Sequence, residues 1–144
     1  MTQGVDYPGI TIVYFCHDGN GNFIMAKRSK QSRDEHGKWD IGAGGLDFGY
    51  TVEDTLRKEI REEYCTDVVS YSFLGYRDVH RVHEGKPTHW VTLDFNVLID
   101  PSKVSNGEPH KFEEVKMFTF ETMPQPIHSQ LPKFLRLYQS KLQS

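Results

Sequence analysis

Segment 51–64 constrains the fold most, because its apolar residues recur with a helical period. They stand at every fourth position, at Val52, Leu56, Ile60 and Tyr64. This spacing places them in one narrow stripe along a helix. Thr51 is of a type that caps helices, and Asp54 follows three residues later as a capping-box-like partner. The segment is therefore predicted to be a helix with one side covered by a core.

Segments before and after this helix have the composition of β-strands. The predicted strands are 10–17, 23–28, 68–77, 89–99 and 112–120, with residues 39–45 forming a short segment that opens into a glycine-rich turn. Residues 80–87 are predicted to connect two of these strands. A second helix is predicted at 129–142, with Ser129 as its cap and Pro132 in its first turn. Together these elements predict an α+β fold in one domain, residues 1–144.

Length, composition and charge are consistent with a single domain, and they exclude some classes of partner. With 37% hydrophobic residues in 144, folding can bury roughly two-thirds of the exposed surface of the unfolded chain. The chain lacks the ~20-residue apolar run of a membrane span and the pattern of a secretory signal. Cys16 and Cys65 are too few for a disulfide framework, so we expect a cytoplasmic protein with no membrane partner. The net charge of −3 argues against nucleic acid as a partner.

Three glutamates gather on one side of the predicted helix, beside its apolar stripe. With about 100° of rotation per residue, Glu59, Glu62 and Glu63 fall within about 100° of one another. Their mutual repulsion costs about 0.2–0.5 kcal/mol per pair, and the last helical turn also disfavours negative charge. One interpretation is a charged helix face in contact with water. The other is a bound divalent cation, because Mg²⁺ binds through a few carboxylates together with substrate phosphates.

Two further groups of polar residues each have an ordinary interpretation and a functional one. The basic stretch 28–33 is either a solvated loop or a loop that faces phosphate. His80, His83 and His89 cluster around a predicted hairpin. Because no thiolates and no fixed metal-ligand spacing accompany them, we favour exposed or hydrogen-bonding histidines over a metal site.

Residues 44–66 resemble the Nudix box of the MutT-like Nudix hydrolases. The family signature is Gly, five residues, Glu, seven residues, then Arg-Glu-apolar-x-Glu-Glu-x-Gly-apolar. Gly44 takes the place of the first glycine, and the three glutamates keep their spacing without insertion. The resemblance covers most of the chain, strongly in the box and loosely outside it. It implies an α/β/α sandwich with a mixed β-sheet between helices.

Four positions of the box depart from that signature. Tyr50 stands where the family has its first Glu, and Lys58 where it has Arg. Cys65 replaces the late Gly, and Thr66 the closing apolar residue. The first Glu and the Arg are associated in the family as supports of the box, and a Tyr–Lys pair cannot reproduce their ion pair. The positions that correspond to metal ligands remain acidic.

The resemblance implies a Mg²⁺-dependent pyrophosphohydrolase that cleaves a diphosphate linkage, with Mn²⁺ as a substitute ion. The implied metal ligands are Glu59, Glu62, Glu63 and the carbonyl of Gly44. The candidates for the general base are Glu62, Glu63 and Glu108. The candidate substrate contacts are Arg28, Arg33, Trp39 and Lys111, because Arg and Lys bind phosphate and aromatic rings stack on other rings.

Several functional alternatives remain open from the sequence. The expected substrate is a nucleoside triphosphate, oxidised or ordinary, ahead of other nucleoside diphosphate derivatives, because the chain is short. A nucleotide-binding sensor with weak catalysis is the alternative, supported by the changes at Tyr50, Lys58 and Cys65. RNA-end decapping is a third hypothesis, which the acidic charge balance does not favour. A homodimer is compatible with the sequence.

Overall fold

A mixed β-sheet forms the centre of the computed structural model, which describes residues 1–142. Within these residues the sheet has seven strands: β1 (Gly9–His17), β2 (Phe23–Arg28), β3 (Trp39–Asp40), β4 (Gly42–Gly45), β5 (Val68–His83), β6 (Lys86–Ile99) and β7 (Phe112–Phe118). β1 runs parallel to β6 and antiparallel to β4. β2 pairs with β1, β3 and β7, and β5 pairs with β6.

One helix covers each face of this sheet. They are α1 (Val52–Tyr64) and α2 (Leu131–Tyr138), with short 3-10 helices at Pro101–Lys103 and Gln139–Lys141. Side chains of β1 point alternately to the two faces, so Tyr14 packs with α1 while Phe15 packs with α2. This arrangement confirms the predicted α+β sandwich. Across residues 1–142, none of the helices combines the length and apolar character that a membrane crossing requires.

The helix predicted from the apolar stripe forms nearly as expected. Thr51 is its N-cap, and the Thr51 hydroxyl accepts a hydrogen bond from the Asp54 amide at 3.0 Å. Leu56 and Ile60 are completely buried in the core between α1 and the sheet. Burial of such side chains stabilises a fold by about 1.5–3 kcal/mol each, which explains why this stripe dominates the local structure.

Two predicted boundaries are wrong, and each has a local cause. Residues 80–87 do not form a separate connection, because β5 and β6 continue to a two-residue turn at Glu84 and Gly85. Both turn residues have positive φ, as tight hairpin turns require. The second helix begins at Leu131 rather than Ser129 and ends at Tyr138. Ser129 does not cap it, because its hydroxyl and amide donate to Glu35 at 2.6 and 2.8 Å.

Candidate active site

The three helix glutamates lie at different depths in the structure. The side chain of Glu62 is 50% exposed, that of Glu59 is 16% exposed, and that of Glu63 is 1% exposed. Helix geometry explains the difference, because Glu63 lies only about 20° from Val52, within the apolar stripe. Two glutamates therefore stand at the rim of the core, and the third points into it.

Two hydrogen bonds hold the buried Glu63 carboxyl group. Its Oε1 accepts from the hydroxyl of Tyr14, and its Oε2 accepts from the Lys111 ammonium at 2.8 Å. Burial raises the pKa of Glu63 to about 7, even though the charge of Lys111 acts in the opposite direction. This carboxyl group consequently exchanges its proton near neutral pH.

Glu59 lies directly against the glycine-rich strand β4. A Cβ atom added to Gly44 would stand 2.5 Å from both Cγ and Cδ of Glu59, so any larger residue at this position requires the Glu59 side chain to move. Burial, and then the negative charge of Glu62, raise the pKa of Glu59. The structure thus brings the backbone at Gly44 against the side chain of Glu59.

One departure from the box signature has a structural substitute, whereas another places a residue with a Cβ atom in a left-handed backbone. The Lys58 ammonium lies 5.4 Å from the centroid of the Tyr50 ring, which is within the range of a cation–π contact. This contact takes the position of the family's ion pair. Cys65 follows the last helical residue as the C-cap and has a left-handed backbone with φ of 61°. Glycine is favoured at such a position, since it has no Cβ.

The segment 104–111 packs on the last turn of α1. Its backbone amides at Ser105 and Gly107 donate to the carbonyls of Tyr64 and Glu63, both at 3.0 Å. These bonds satisfy carbonyls that the helix itself leaves without partners. They also hold Glu108 beside the helix glutamates, where its charge contributes to raising the pKa of Glu59.

A cavity of about 610 Å³ opens beside Gly44 and Glu59. Three of the predicted substrate contacts line it, namely Arg28, Arg33 and Lys111. Arg28 is held by Asp34, which accepts from the Arg28 Nη2 at 3.0 Å. Arg33 differs, because residues 1–142 provide no carboxylate within ion-pair distance of its guanidinium. Its charge is therefore available to a ligand.

Trp39 lies elsewhere than the sequence interpretation suggested. It is only 8% exposed and belongs to the core between the sheet and α2. Its ring packs edge-on against Phe118, with 5.2 Å between centroids. The structure therefore gives it a packing role, whereas the cavity wall is built by other side chains.

The sequence interpretation did not single out the acidic members of a second titratable cluster, in which Asp40 and His128 line the cavity and Glu35 lies next to His128. Burial raises the pKa of Asp40 to about 7 and lowers the pKa of His128 to about 4. Hydrogen bonds from Ser129 lower the pKa of Glu35 to about 2, although burial opposes this shift. Glu35 also accepts from Arg81 at 2.7 Å. These residues come from distant segments, so no local spacing in the sequence could have grouped them.

A buried ion pair supports another part of the cavity wall. Arg77 donates through Nε and Nη2 to the carboxylate of Asp94, at 2.8 and 2.9 Å. Tyr138 of α2 donates its hydroxyl to the same carboxylate at 2.7 Å. The bidentate pair fixes the orientation of the guanidinium, and the third bond ties α2 to the sheet.

Comparison with known proteins identifies the family. The family model described as the NUDIX domain matches residues 7–138. The chain therefore belongs to the NUDIX domain family, and it is a hydrolase that acts on phosphorus-containing acid anhydrides. The match covers both helices and the whole sheet, so the fold and the box resemblance agree.

Curated relatives and solved structures are consistent with this assignment. The chain is 38% identical over 120 residues to a protein named nucleoside triphosphatase NudI from Enterobacter sp. (strain 638), covering 78% of this chain and 84% of that protein. It superposes on the crystal structure of a MutT NUDIX hydrolase from Burkholderia pseudomallei with a TM-score of 0.75, 21% identity and coverage of 92% and 98%. It also superposes on the NUDIX domain of Shewanella oneidensis NrtR, complexed with ADP ribose, with a TM-score of 0.74, 13% identity and coverage of 95% and 90%.

Proposed function

We propose that this protein is a Mg²⁺-dependent pyrophosphohydrolase that cleaves a diphosphate linkage in a nucleoside triphosphate. One observation supports this proposal most strongly. The backbone of Gly44 and the side chain of Glu59 meet at the edge of the cavity, and Arg33 lines the same cavity. Gly44 and Glu59 make this close approach, and Arg33 supplies the cationic wall. A nucleoside triphosphate presents both the phosphate oxygens and the ring that such a cavity can accommodate.

The residues present fit a hard divalent ion. Mg²⁺ requires oxygen ligands, and the carboxylates of Glu59 and Glu62 together with the carbonyl of Gly44 would supply them. Glu63, which the resemblance also implies as a ligand, is buried and bonded to Tyr14 and Lys111, so it would bind an ion only after losing one of these bonds. The nearest cation to both carboxylates is Lys58, whose ammonium stays 3.9 and 3.8 Å away, too far for a strong hydrogen bond. When bound, Mg²⁺ neutralises phosphate charge and polarises the phosphoryl oxygen under attack. Mn²⁺ has the same ligand preference and is the expected substitute.

Proton transfer from the attacking water requires a base with a pKa near the working pH. Glu63 has a pKa of about 7, but its carboxyl group is 1% exposed and acts as the base only if one of its hydrogen bonds opens to admit water. Tyr14 and Lys111 hold its carboxyl group in a fixed position. Glu62 and Glu108 remain alternative bases, because Glu62 is 50% exposed and both residues are close enough to Glu59 for their charges to raise its pKa.

The substrate class rests on the similarity to nucleoside triphosphatase NudI, which extends over most of both chains. The cavity volume of about 610 Å³ falls within the usual range for small-molecule sites, about 300–1,000 Å³. Its cationic residues are suited to a polyphosphate, since guanidinium groups match phosphate oxygens in shape and charge.

Measurement of phosphate and pyrophosphate release across a panel of nucleoside triphosphates tests this activity. We expect turnover that requires Mg²⁺ and falls at least about 100-fold in Glu62→Gln, because a metal ligand contributes several kcal/mol to transition-state stabilisation. Glu53→Gln is the matched control, since Glu53 lies on the first turn of the same helix and bonds Tyr71. Equal loss in both variants, or turnover that persists in EDTA, contradicts the assignment.

A second experiment tests the phosphate contact. Arg33→Ala is expected to lower kcat/KM by about 10- to 100-fold, because a hydrogen bond to a charged group is worth about 1.5–3 kcal/mol. Arg136→Ala, on the exposed side of α2, is expected to leave the kinetics unchanged. An unchanged KM and kcat in Arg33→Ala removes this residue from the substrate site.

The sensor alternative has one specific observation in its favour. The NUDIX domain of NrtR, which shares this fold, was crystallised with ADP ribose. A sensor is expected to bind ADP ribose or a triphosphate in calorimetry without releasing phosphate. If wild type and Glu62→Gln both bind nucleotide and both fail to turn over every nucleotide tested, the sensor function replaces the hydrolase.

Two coarser expectations accompany this proposal. The reducing cytoplasm is the compartment that best suits two free cysteines, Cys16 and Cys65. A homodimer stays a hypothesis, and sedimentation velocity at micromolar concentration distinguishes it from a monomer.

A further inference from the structure

A cluster of three potential metal ligands lies on the β5–β6 hairpin, outside the cavity. Asp78, His80 and His89 each offer one ligand atom, and within residues 1–142 these atoms lie within 4.8 Å of one another. His80 and His89 are paired directly across the two antiparallel strands, and Asp78 precedes His80 by two residues on β5. The sheet register, which the sequence could not supply, therefore brings together residues eleven positions apart.

The three side chains share the face of the hairpin that is turned away from the cavity. Residues of a strand alternate between the two faces of the sheet. Arg77, Val79 and Arg81 line the cavity, so Asp78 and His80 point to the opposite side. This cluster, here called the hairpin triad, is thus separate from the helix glutamates of the proposed active site.

The ligand atoms of the hairpin triad are close together, although they are not yet at coordination distances from one point. The two imidazole rings stack with centroids 4.2 Å apart and 26° between their planes. The Nε2 atom of His89 lies 2.9 Å from the Oδ1 atom of Asp78. Bond lengths of about 2.0–2.2 Å to a tetrahedral ion place neighbouring ligand atoms about 3.3–3.6 Å apart. Small side-chain rotations close the remaining gap, because Asp78 and His80 are exposed.

We propose that the hairpin triad is a second metal site, which binds a divalent transition ion such as Zn²⁺, Ni²⁺ or Cu²⁺. Two imidazole nitrogens and one carboxylate oxygen suit these ions, whereas Mg²⁺ requires an all-oxygen set. The two sites therefore select different metals. An ion bound to the triad joins β5 to β6 directly behind Val79, and so stiffens one wall of the cavity. Its remaining coordination positions face solvent and take water.

Calorimetric titration of Zn²⁺ into metal-stripped protein, with excess Mg²⁺ and no nucleotide, tests this site. Wild type is expected to bind Zn²⁺, and His80→Ala and His89→Ala are each expected to weaken that binding by at least about tenfold. His83→Ala is the matched control. His83 belongs to the same hairpin but lines the cavity, on the opposite face, so this variant is expected to keep wild-type affinity.

A spectroscopic measurement on the unaltered protein supports the titration without relying on variants. One equivalent of Cu²⁺ is expected to give an electron paramagnetic resonance spectrum with nitrogen coupling from two imidazoles. The proposal is overturned if Zn²⁺ affinity is the same in wild type, His80→Ala and His89→Ala. It is likewise overturned if Glu62→Gln, rather than the triad variants, abolishes Zn²⁺ binding, because the ion then belongs to the helix carboxylates.

Discussion

Replacement of Glu63 by glutamine gives the sharpest test of the buried part of the site. The folded protein holds this carboxyl group with a pKa of about 7, against 4.5 for an ordinary glutamate. Between these two pH values the folded state binds more protons than the unfolded state. Stability therefore falls as pH rises, by up to about 3.4 kcal/mol at 1.36 kcal/mol per pKa unit.

The measurable part of this effect lies between pH 5 and pH 8. With the two pKa values above, Glu63 alone lowers the free energy of unfolding by about 2.5 kcal/mol over this interval. Glu63→Gln keeps the shape of the side chain and an acceptor oxygen, but it does not titrate. Urea unfolding of both proteins at several pH values gives the comparison. The stability difference between them is expected to change by about 2.5 kcal/mol from pH 5 to pH 8.

Titrating groups that do not interact with Glu63 contribute equally to both proteins and cancel in this comparison. Asp40 also has a raised pKa of about 7, but it is present in both proteins and its contribution cancels in the difference. A stability difference that stays constant from pH 5 to pH 8 refutes the reasoning, because Glu63 then has an ordinary pKa. With saturating Mg²⁺, the pH dependence is expected to shrink if the ion binds this carboxylate, since the ion favours its deprotonated form.

Three further substitutions test other parts of the structure. Gly44→Ala forces Glu59 to move and is expected to lower Mg²⁺ affinity and kcat/KM at least about tenfold. Gly45→Ala is the control and is expected to leave both unchanged, because the space around Gly45 is open. Activity assays at graded Mg²⁺ concentrations measure both variants. Cys65→Gly relieves a left-handed backbone and is expected to raise stability by about 0.5–1 kcal/mol in urea unfolding, the difference between the strain and the entropy of glycine. Asp94→Asn leaves a buried guanidinium without its counter-charge and is expected to cost about 3–5 kcal/mol of stability.

The sequence predicts those parts of the fold that depend on local periodicity. The spacing of Leu56 and Ile60 predicts α1. The alternation of apolar and polar residues in 91–97 predicts β6, which packs on the same core as α1. The hairpin was predicted, but its connection was assigned to 80–87 instead of the two-residue turn at Glu84 and Gly85, because a positive φ at a non-glycine residue has no reliable sequence signal. The second helix was predicted too long because Ser129 is a good cap in isolation, but it is bound to Glu35, ninety-four residues away.

Similar reasoning separates the predictable and unpredictable parts of the site. The carboxylates of the box are close in sequence, so helix geometry alone brings Glu59 and Glu62 together. Asp40, His128 and Arg81 meet only because sheet pairing and loop packing bring three remote segments to one cavity. The depth of Glu63 was within reach of the sequence, since its angular position inside the apolar stripe implies burial.

Two backbone hydrogen bonds join segment 104–111 to the end of α1. They link the position of this segment to the protonation of the nearby glutamates. If this segment moves away, the carbonyls of Tyr64 and Glu63 lose their hydrogen-bond donors. The negative end of the helix dipole is then no longer compensated, next to the acidic side chains. Protonation of those side chains then becomes more favourable. By reciprocity, acid promotes detachment of the segment and a bound cation opposes it. Access to Glu108 would therefore be coupled thermodynamically to the binding of an ion by these carboxylates, through the backbone of a single helical turn.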